Sequence, residues 1–292
     1  MNEKKIYALG FFDGVHLGHQ ALIAQCRYLA RQLDAVPAAI TFDSHPQSLF
    51  VPAPPALINT KEDRVRLLNR CGIRSVRQIP VTKENMSTPW QDFLEALLED
   101  GAVGFVCGDD FRFGCRGEGD AQKLQRFCLE NNLPCIIVPE QQRQGLRISS
   151  THIRRLIEQG DMAGAAEFLG HPHILSGQVM PGRQLGRTIG IPTANLHLAE
   201  GTVCPRFGVY ACRADIAGEH YLAVTNVGVR PTVSGQGVTV EPWILDFVGD
   251  LYGREITLEF HHFLRPEQKF DSLEELKAEI CRNAEQTKEL LR

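Results

Sequence analysis

The first half of the chain alternates short apolar runs with amphipathic segments. The apolar runs predict strands at residues 6–11, 36–42, 74–79, 103–107 and 135–138. Apolar residues at helical spacing predict helices between them, as in the stripe formed by Leu22, Cys26, Leu29 and Leu33. Strands that alternate with helices predict an α/β domain with a parallel sheet, whose ligands bind at the carboxyl ends of the strands.

The pattern changes in the second half of the chain. Helical stripes at 151–158 and 162–169 are followed by apolar runs separated by Gly and Pro, at 174–180, 207–216, 221–229, 238–247 and 255–263. Repeated strands without intervening helices predict a small antiparallel β-barrel. Ser272, with Glu275 three residues later, predicts the capping box of a terminal helix. We therefore expect two domains, residues 1–170 and 171–292.

Composition narrows the class of protein. A chain of 292 residues suits two domains better than one core. The formal net charge of −4 argues against a protein that coats nucleic acid. Nine scattered cysteines without a C-x-x-C pair indicate reduced thiols, and neither a signal peptide nor a membrane-spanning run is visible. We expect a cytoplasmic protein that binds neither nucleic acid nor membranes.

A glycine-containing segment, GFFDGVHLGH at residues 10–19, follows the first strand and opens a helix. Gly10 and Gly14 allow a tight turn and a close approach to a ligand, and a helix start attracts phosphate. His16 and His19 lie three residues apart, so both can donate hydrogen bonds to one phosphate group. A lone histidine would more often be structural, but the H-x-G-H spacing favours a phosphate site.

The segment RISSTHIR at residues 147–154 predicts a second helix start. The hydroxyls of Ser149, Ser150 or Thr151 could merely cap this helix. The flanking Arg147 and Arg154 change this interpretation, because guanidinium groups beside exposed N–H groups form a receptor for a polyphosphate tail.

These two segments resemble the nucleotidyltransferase superfamily with H-x-G-H and I-S-S-T-x-I-R signatures. TFDSHP at 41–46 and GDDFRFG at 108–114 resemble its FMN adenylyltransferase branch, found in the N-terminal module of bacterial bifunctional FAD synthetases. Ser44 and His152 replace the proline and arginine usual there. The resemblance implies a Rossmann-like domain that transfers adenylyl from ATP to FMN with Mg²⁺, and catalytic roles for His16 and His19. It implies nucleotide-binding or substrate-binding roles for Gly10, Phe12, Asp13, Gly14, Asp110, Arg147, Ser150, Thr151 and Arg154.

A second glycine-rich region begins at residue 177. Its spacing is that of a P-loop, but Arg183 and Gln184 stand where Lys and Ser/Thr belong, so a Walker loop is excluded. In the following GRTIGIPTAN at 186–195, Thr193 and Asn195 are two residues apart. On an extended chain both side chains share a face, where their oxygens can ligate Mg²⁺. A turn without function would explain the same glycines and proline.

The glycine-rich motifs at 177–195, together with the segments 226–232 and 241–253, resemble those of riboflavin kinase. The resemblance implies a small β-barrel that phosphorylates riboflavin to FMN, with Thr193 and Asn195 at the Mg²⁺ and Glu241 as catalytic base. Further substrate-binding roles are implied for Gly182, Gly186, Arg187, Gly190, Asn226 and Arg265. Without the motif, Glu241 would be interpreted as a solvated residue of a strand. Pro242 predicts a strand edge or bulge there, because proline lacks the ladder donor.

The two resemblances together imply a flavin-cofactor enzyme whose partners are the small molecules riboflavin, FMN and ATP. They leave weak or transient self-association open. One rival hypothesis is a chain that retains a single activity, and another is a domain that only senses flavin or nucleotide. The intact His16, His19, Thr193, Asn195 and Glu241 argue against both rivals.

Overall fold

The computed structural model describes residues 3–181, 190–232 and 235–292. Contacts group the chain into two compact units, one of Met1–Leu57 and Lys61–Ser150 and the other of Ile58–Thr60 and Thr151–Arg292. The units thus divide after Ser150, whereas the sequence suggests a boundary after Gly170. Compactness does not define which residues each activity needs, so the functional boundary stays a prediction. In the described ranges, no helix has the length and apolar character to cross a bilayer.

The first unit is built on a parallel sheet. Its elements in chain order are β1 (Lys5–Leu9), α1 (Leu17–Gln32), β2 (Val36–Phe42), α2 (Lys61–Arg70), β3 (Ser75–Ile79), α3 (Lys83–Met86), α4 (Trp90–Glu99), β4 (Ala102–Gly108), β5 (Arg112–Phe113), β6 (Gly119–Asp120), α5 (Ala121–Glu130), β7 (Cys135–Val138), β8 (Gln142–Arg143) and β9 (Leu146–Arg147). The five-stranded sheet has the order β3-β2-β1-β4-β7, and all its neighbours are parallel. The predicted α/β architecture is confirmed.

The strand order positions the first site. The chain moves from β1 to β2 in one direction and from β4 to β7 in the other, so right-handed crossovers place α1 and α5 on opposite faces. The order reverses between β1 and β4, and a crevice opens at the carboxyl ends of strands at such a switch point. Ile6, Ala8 and Leu9 of β1 are fully buried, so this strand fixes the following turn from the core.

The second unit is antiparallel. Its elements are α6 (Ser150–Gln159), whose first residue belongs to the first unit, α7 (Met162–Leu169), β10 (His173–Gln178), β11 (Leu196–His197), β12 (Gly208–Ile216), β13 (Glu219–Thr232), β14 (Gly235–Ile244), β15 (Glu255–Arg265) and α8 (Leu273–Leu290). The six-stranded sheet has the order β10-β15-β12-β13-β14-β11. Beyond the two edge strands, Met180 pairs with Asn195, so the sheet nearly closes. The predicted small barrel with a terminal helix is confirmed, and β11 is an addition to it.

Pro242 lies where its missing N–H does no harm. The pairing of β14 with β13 runs through this residue without a register shift, so no bulge forms. The carbonyl of Pro242 accepts from Ala194 N at 2.9 Å on the outer side of β14, where β11 pairs only with Thr239 and Val240. Because the N and C=O of one residue point to the same side of a strand, the proline nitrogen also faces this short edge.

The terminal helix begins as the sequence predicts. The Ser272 hydroxyl caps α8 by accepting from Glu275 N at 3.2 Å, and the Glu275 carboxylate accepts from Asp271 N at 3.3 Å. The helix buries Asn283, Ala284 and Thr287, while Leu273 and Leu290 remain exposed. Small and hydrogen-bonded side chains therefore form the fully buried part of α8, and Leu276 and Ile280 are partly buried.

We predict that Ser272→Ala lowers the free energy of unfolding of the second unit by about 1 kcal/mol, because a helix amide loses its cap. The chain has two tryptophans, so in a Trp90→Phe background the fluorescence of Trp243 reports on this unit during urea unfolding. Ser272→Asp retains an acceptor and serves as control. Equal stability of the Ala and Asp variants would contradict the prediction.

Candidate active sites

The turn after β1 has an unusual backbone. Phe12, Gly14 and Val15 have φ angles of 59°, 81° and 41°, in the left-handed region. That region is easy for glycine but strained for a β-branched residue such as Val15. Such strain persists only where the surroundings determine the conformation, and it is concentrated at functional sites.

Hydrogen bonds to four backbone carbonyls hold this turn. They run from Thr41 Oγ1 to Phe11 O at 2.6 Å, from Val15 N to Phe12 O at 3.1 Å, from Ser150 Oγ to Asp13 O at 3.0 Å and from Gln20 Nε2 to Val15 O at 2.9 Å. The donors come from β2, the turn itself, the start of α6 and α1. The Ser150 hydroxyl therefore joins the two predicted phosphate segments.

The two histidines of the H-x-G-H segment lie against each other. His16 precedes α1, and its Nδ1 accepts from His19 N at 3.3 Å. The ring centroids of His16 and His19 are 3.6 Å apart with an interplanar angle of 12°. Because Nδ1 of His16 is an acceptor, the proton of the neutral ring lies on Nε2. Gly18 leaves room for this stack, since a Cβ built there would lie 3.2 Å from His16 Cε1.

The environment keeps His19 neutral. Burial lowers its pKa well below 6.5, and the nearby His16 and Arg64 lower it further. The Phe12 ring packs 5.2 Å from the His19 ring. A neutral imidazole still donates one hydrogen bond, so it can hold a phosphate oxygen without carrying a charge itself.

The other predicted residues of the first unit are placed as follows. Arg147 Nη2 lies 2.5 Å from Asp110 Oδ2, and Arg147 Nε lies 3.0 Å from Glu140 Oε2. Asp110 and Arg147 are thus brought together, and both are exposed. Thr151 and Arg154 lie at the start of α6, in the part of that helix that belongs to the second unit. Their roles at a nucleotide stay predictions.

A cavity of about 1000 Å³ lies at the carboxyl ends of the parallel strands. Gly10, Phe42 and Ile79 line it from the ends of β1, β2 and β3, and Phe111 and Phe113 line it from the GDDFRFG segment. Its remaining lining includes the basic residues Arg77, Lys83, Arg112 and Arg116. Aromatic walls with positive charges suit a flat aromatic ligand that carries an anionic group.

The second unit brings predicted kinase residues together through strand register. Asn226 of β13 pairs with Glu241 of β14. Leu196 pairs with Val240, and this register continued by one residue puts Asn195 opposite Glu241 on the other side. Residues directly opposite share a face, so Asn195, Glu241 and Asn226 form a polar row across three segments.

Burial agrees with this row. Ala194 and Leu196 are buried, whereas Thr193 and Asn195 are partly exposed, as expected if the latter two share the opposite face. Glu241 is only 7% exposed, so its interpretation as a solvated strand residue is wrong. Asn226 Nδ2 lies 3.4 Å from Glu267 Oε1, which adds a second carboxylate beside the row.

The remaining predicted kinase residues are not part of the row. Gly190 has φ of 76°, which suits a glycine. Arg265 is bonded to α8, with Nε 3.0 Å from Asn283 Oδ1 and 3.3 Å from Glu279 Oε1. Gly182, Gly186 and Arg187 lie outside the described residues. A substrate role for any of these residues stays a prediction.

Comparisons with known proteins identify the family. The sequence model of the FAD synthetase family matches residues 1–152. The sequence model of the riboflavin kinase family matches residues 169–291. A relative from Listeria monocytogenes is 34% identical over 97% of this chain and 91% of its own length. One from Escherichia coli K12 is 38% identical over 95% and 90%. Both are named bifunctional riboflavin kinase/FMN adenylyltransferase. The chain belongs to this family.

The fold agrees with that of a solved structure. A crystal structure from Streptococcus pneumoniae, described as a macrolide-efflux protein, has a TM-score of 0.86 and 31% identity, covering 99% of this chain and 95% of that one. We transfer no activity from that description to the present chain. The similarity spans both units of this riboflavin kinase/FMN adenylyltransferase family member.

Sequence analysis missed two side chains beneath the strained turn. Arg64 of α2 and Thr41 of β2 are both fully buried. Arg64 Nη1 donates to Thr41 Oγ1 at 3.0 Å, and Thr41 in turn donates to the turn. One signal was available, since Arg64 begins an otherwise apolar stripe with Leu67 and Leu68.

We predict that acid destabilises the first unit partly through His19. The pKa of His19 is lower in the folded chain than in the unfolded chain. Below about pH 6.5, His19 therefore binds a proton in the unfolded chain but not in the folded chain. The stability due to His19 is complete above that pH and is lost by up to about 1.4 kcal/mol for each unit of further acidification.

Urea unfolding in a Trp243→Phe background, followed by Trp90, measures this loss at neutral and at acidic pH. His19→Asn removes the titrating ring and should lose less stability on acidification than the wild-type chain. Equal losses in both chains would contradict the prediction.

Proposed function

We propose that this chain makes FMN and FAD from riboflavin by two ATP-dependent steps, the kinase step in residues 171–292 and adenylyl transfer in residues 1–170. The observation that carries the proposal is the presence of two separate constellations, the His16–His19 stack on a strained turn and the Asn195–Glu241–Asn226 row. A chain with one activity would need only one of them. All nine cysteines are free thiols, which supports our proposal of a cytoplasmic location.

In the kinase step, the 5′-hydroxyl of riboflavin attacks the γ-phosphorus of ATP and ADP leaves. The Glu241 carboxylate takes the hydroxyl proton as the new P–O bond forms. Its burial in the row supports this role, because a base acts best where water does not compete for the reacting hydroxyl. Asn195 and Asn226 flank the carboxylate and orient the groups around it.

The residues present fit Mg²⁺ at the kinase site. Thr193 and Asn195 offer hard oxygen atoms on one side of an extended segment, opposite Glu241. Mg²⁺ prefers such oxygen ligands together with water and substrate phosphates. When bound with ATP, the ion neutralises charge on the phosphates.

In the adenylyl-transfer step, a phosphate oxygen of FMN attacks the α-phosphorus of ATP. A phosphoanhydride bond forms, and the bond to pyrophosphate breaks. The His16 and His19 rings donate hydrogen bonds to phosphate oxygens, and the start of α1 adds its positive dipole end. The protein supplies position and charge stabilisation and needs no covalent intermediate.

The cavity of the first unit is our proposed flavin site. Its aromatic walls suit the isoalloxazine ring, and it opens beside Gly10, the first residue of the phosphate turn. Phe50 lines this cavity yet is 70% exposed, so an aromatic face is available to cover a ligand. A flavin placed here would lie beside the turn that leads to His16.

Product analysis tests the function. Purified chain is incubated with riboflavin, Mg²⁺ and ATP that carries a phosphorus label at the γ or the α position, and the flavins are separated. We expect γ-label in FMN and in FAD, and α-label in FAD only. FMN that is never converted would contradict the adenylyltransferase half, and unreacted riboflavin would contradict the kinase half.

Glu241→Gln should lower kcat for FMN formation by about 10²- to 10⁴-fold, because the amide cannot accept the proton. Conversion of supplied FMN to FAD by the same preparation should stay unchanged, and it reports on folding. Normal FMN formation by this variant would overturn the assignment of the base.

His19→Asn should lower kcat for FAD formation by about 10²- to 10³-fold, since a positioned donor to the phosphates is lost. Here riboflavin phosphorylation is the control. A loss shared equally by both reactions would contradict a site-specific role for His19.

A further inference from the structure

Arg64 is a buried cation beneath the strained turn. It lies in α2 and is fully buried, which is costly for a guanidinium unless its donors are satisfied. Only Nη1 finds acceptors, at Thr41 Oγ1 and at Phe42 O, 2.5 Å away. Neither Nε nor Nη2 has a hydrogen-bond partner in the described part of the chain. A cost of this kind calls for an explanation in function.

Two contacts of Arg64, with Thr41 and with Phe11, lead to the phosphate turn. The Thr41 hydroxyl that accepts from Arg64 donates to Phe11 O. The guanidinium carbon lies 4.5 Å from the centroid of the Phe11 ring, a cation–π contact. Arg64 therefore joins the end of β2 to the residue before the left-handed Phe12.

Its charge is only partly offset. Burial lowers the pKa of Arg64, and Asp13, Asp43 and Glu62 oppose this lowering. Arginine nevertheless stays protonated in proteins. The charge reaches His19, whose pKa it lowers. Positive potential at this turn favours the phosphates of ATP and FMN, which must approach each other despite their mutual repulsion.

We propose that Arg64 is a positioning residue for adenylyl transfer, acting through Thr41 and Phe11 on the phosphate turn and through its buried charge on the reacting phosphates. The inference rests on the proposed function of the first unit. Arg64 does not touch the substrates. It holds the turn in the conformation that aligns them, so its loss should affect the reaction more than substrate binding.

Steady-state kinetics of FAD formation from FMN test the proposal. Arg64→Met keeps the bulk of the side chain without the charge, and we expect kcat to fall about 100-fold while KM for ATP changes less than about 3-fold. Arg64→Lys keeps the charge and one donor, and we expect it to recover kcat to within about 10-fold of wild type. Riboflavin phosphorylation by the same chains should be unchanged.

Thr41 offers an independent test if Arg64→Met fails to fold. Thr41→Val removes the hydroxyl between Arg64 and Phe11 O and should lower kcat for FAD formation, whereas Thr41→Ser retains the hydroxyl and should restore it. Tyr7→Phe is the matched control, because it breaks the part-buried Tyr7–Asp100 hydrogen bond next to Gly101, which precedes β4 at the opposite end of the sheet. It should lower the melting temperature without lowering this kcat.

These experiments distinguish failure of the proposed adenylyltransferase function from failure of the positioning role of Arg64. If the wild-type chain forms no FAD from FMN, the proposed function fails. If the wild type forms FAD and folded Arg64→Met or Thr41→Val does so at the same kcat, the positioning role is overturned. It is also overturned if Tyr7→Phe lowers kcat as much as these variants, since that would indicate a general effect of stability.

Discussion

The strained turn between β1 and α1 is the constraint on which the first site depends. Val15 and Phe12 occupy a backbone region that L-residues avoid, and four carbonyl hydrogen bonds hold them there. The donors lie in β2, in the turn itself, at the start of α6 and in α1, so the conformation of the turn depends on contacts with several elements of the first unit. The same turn delivers His16 to the start of α1, where it stacks on His19.

The second site depends on a different constraint, the register of an antiparallel barrel. Glu241 lies between Asn195 and Asn226 because β11, β14 and β13 pair without slippage there. A shift by one residue would turn Glu241 to the other face and break the row. Apolar pairs such as Val227 with Val240, both fully buried, oppose such a shift. The two candidate sites are therefore positioned by unrelated structural means.

Sequence reasoning predicted what short-range patterns encode. The parallel strands follow from periodicity and the His16–His19 pair from motif spacing, whereas Glu241 is assigned only through the resemblance to riboflavin kinase. The burial of Arg64 was not predicted, because an arginine in an amphipathic helix usually extends its charge to solvent. Its burial depends on packing against Phe11 and Thr41. The two-residue strand β11 was not predicted, because so short a strand is defined by its pairing with β14 and not by a sequence pattern. The burial of Ala284 and Thr287 in α8 likewise depends on packing against the barrel, which local patterns do not encode.

We infer that each unit binds its own ATP, one for each step on the same flavin. A crystal structure of the chain with Mg²⁺ and a non-hydrolysable ATP analogue tests it most directly. We expect two nucleotides per chain, one with its phosphates at the His16–His19 turn and the other with its phosphates at Thr193 and Asn195. A single bound nucleotide at saturation, or phosphates lying away from both places, would contradict it.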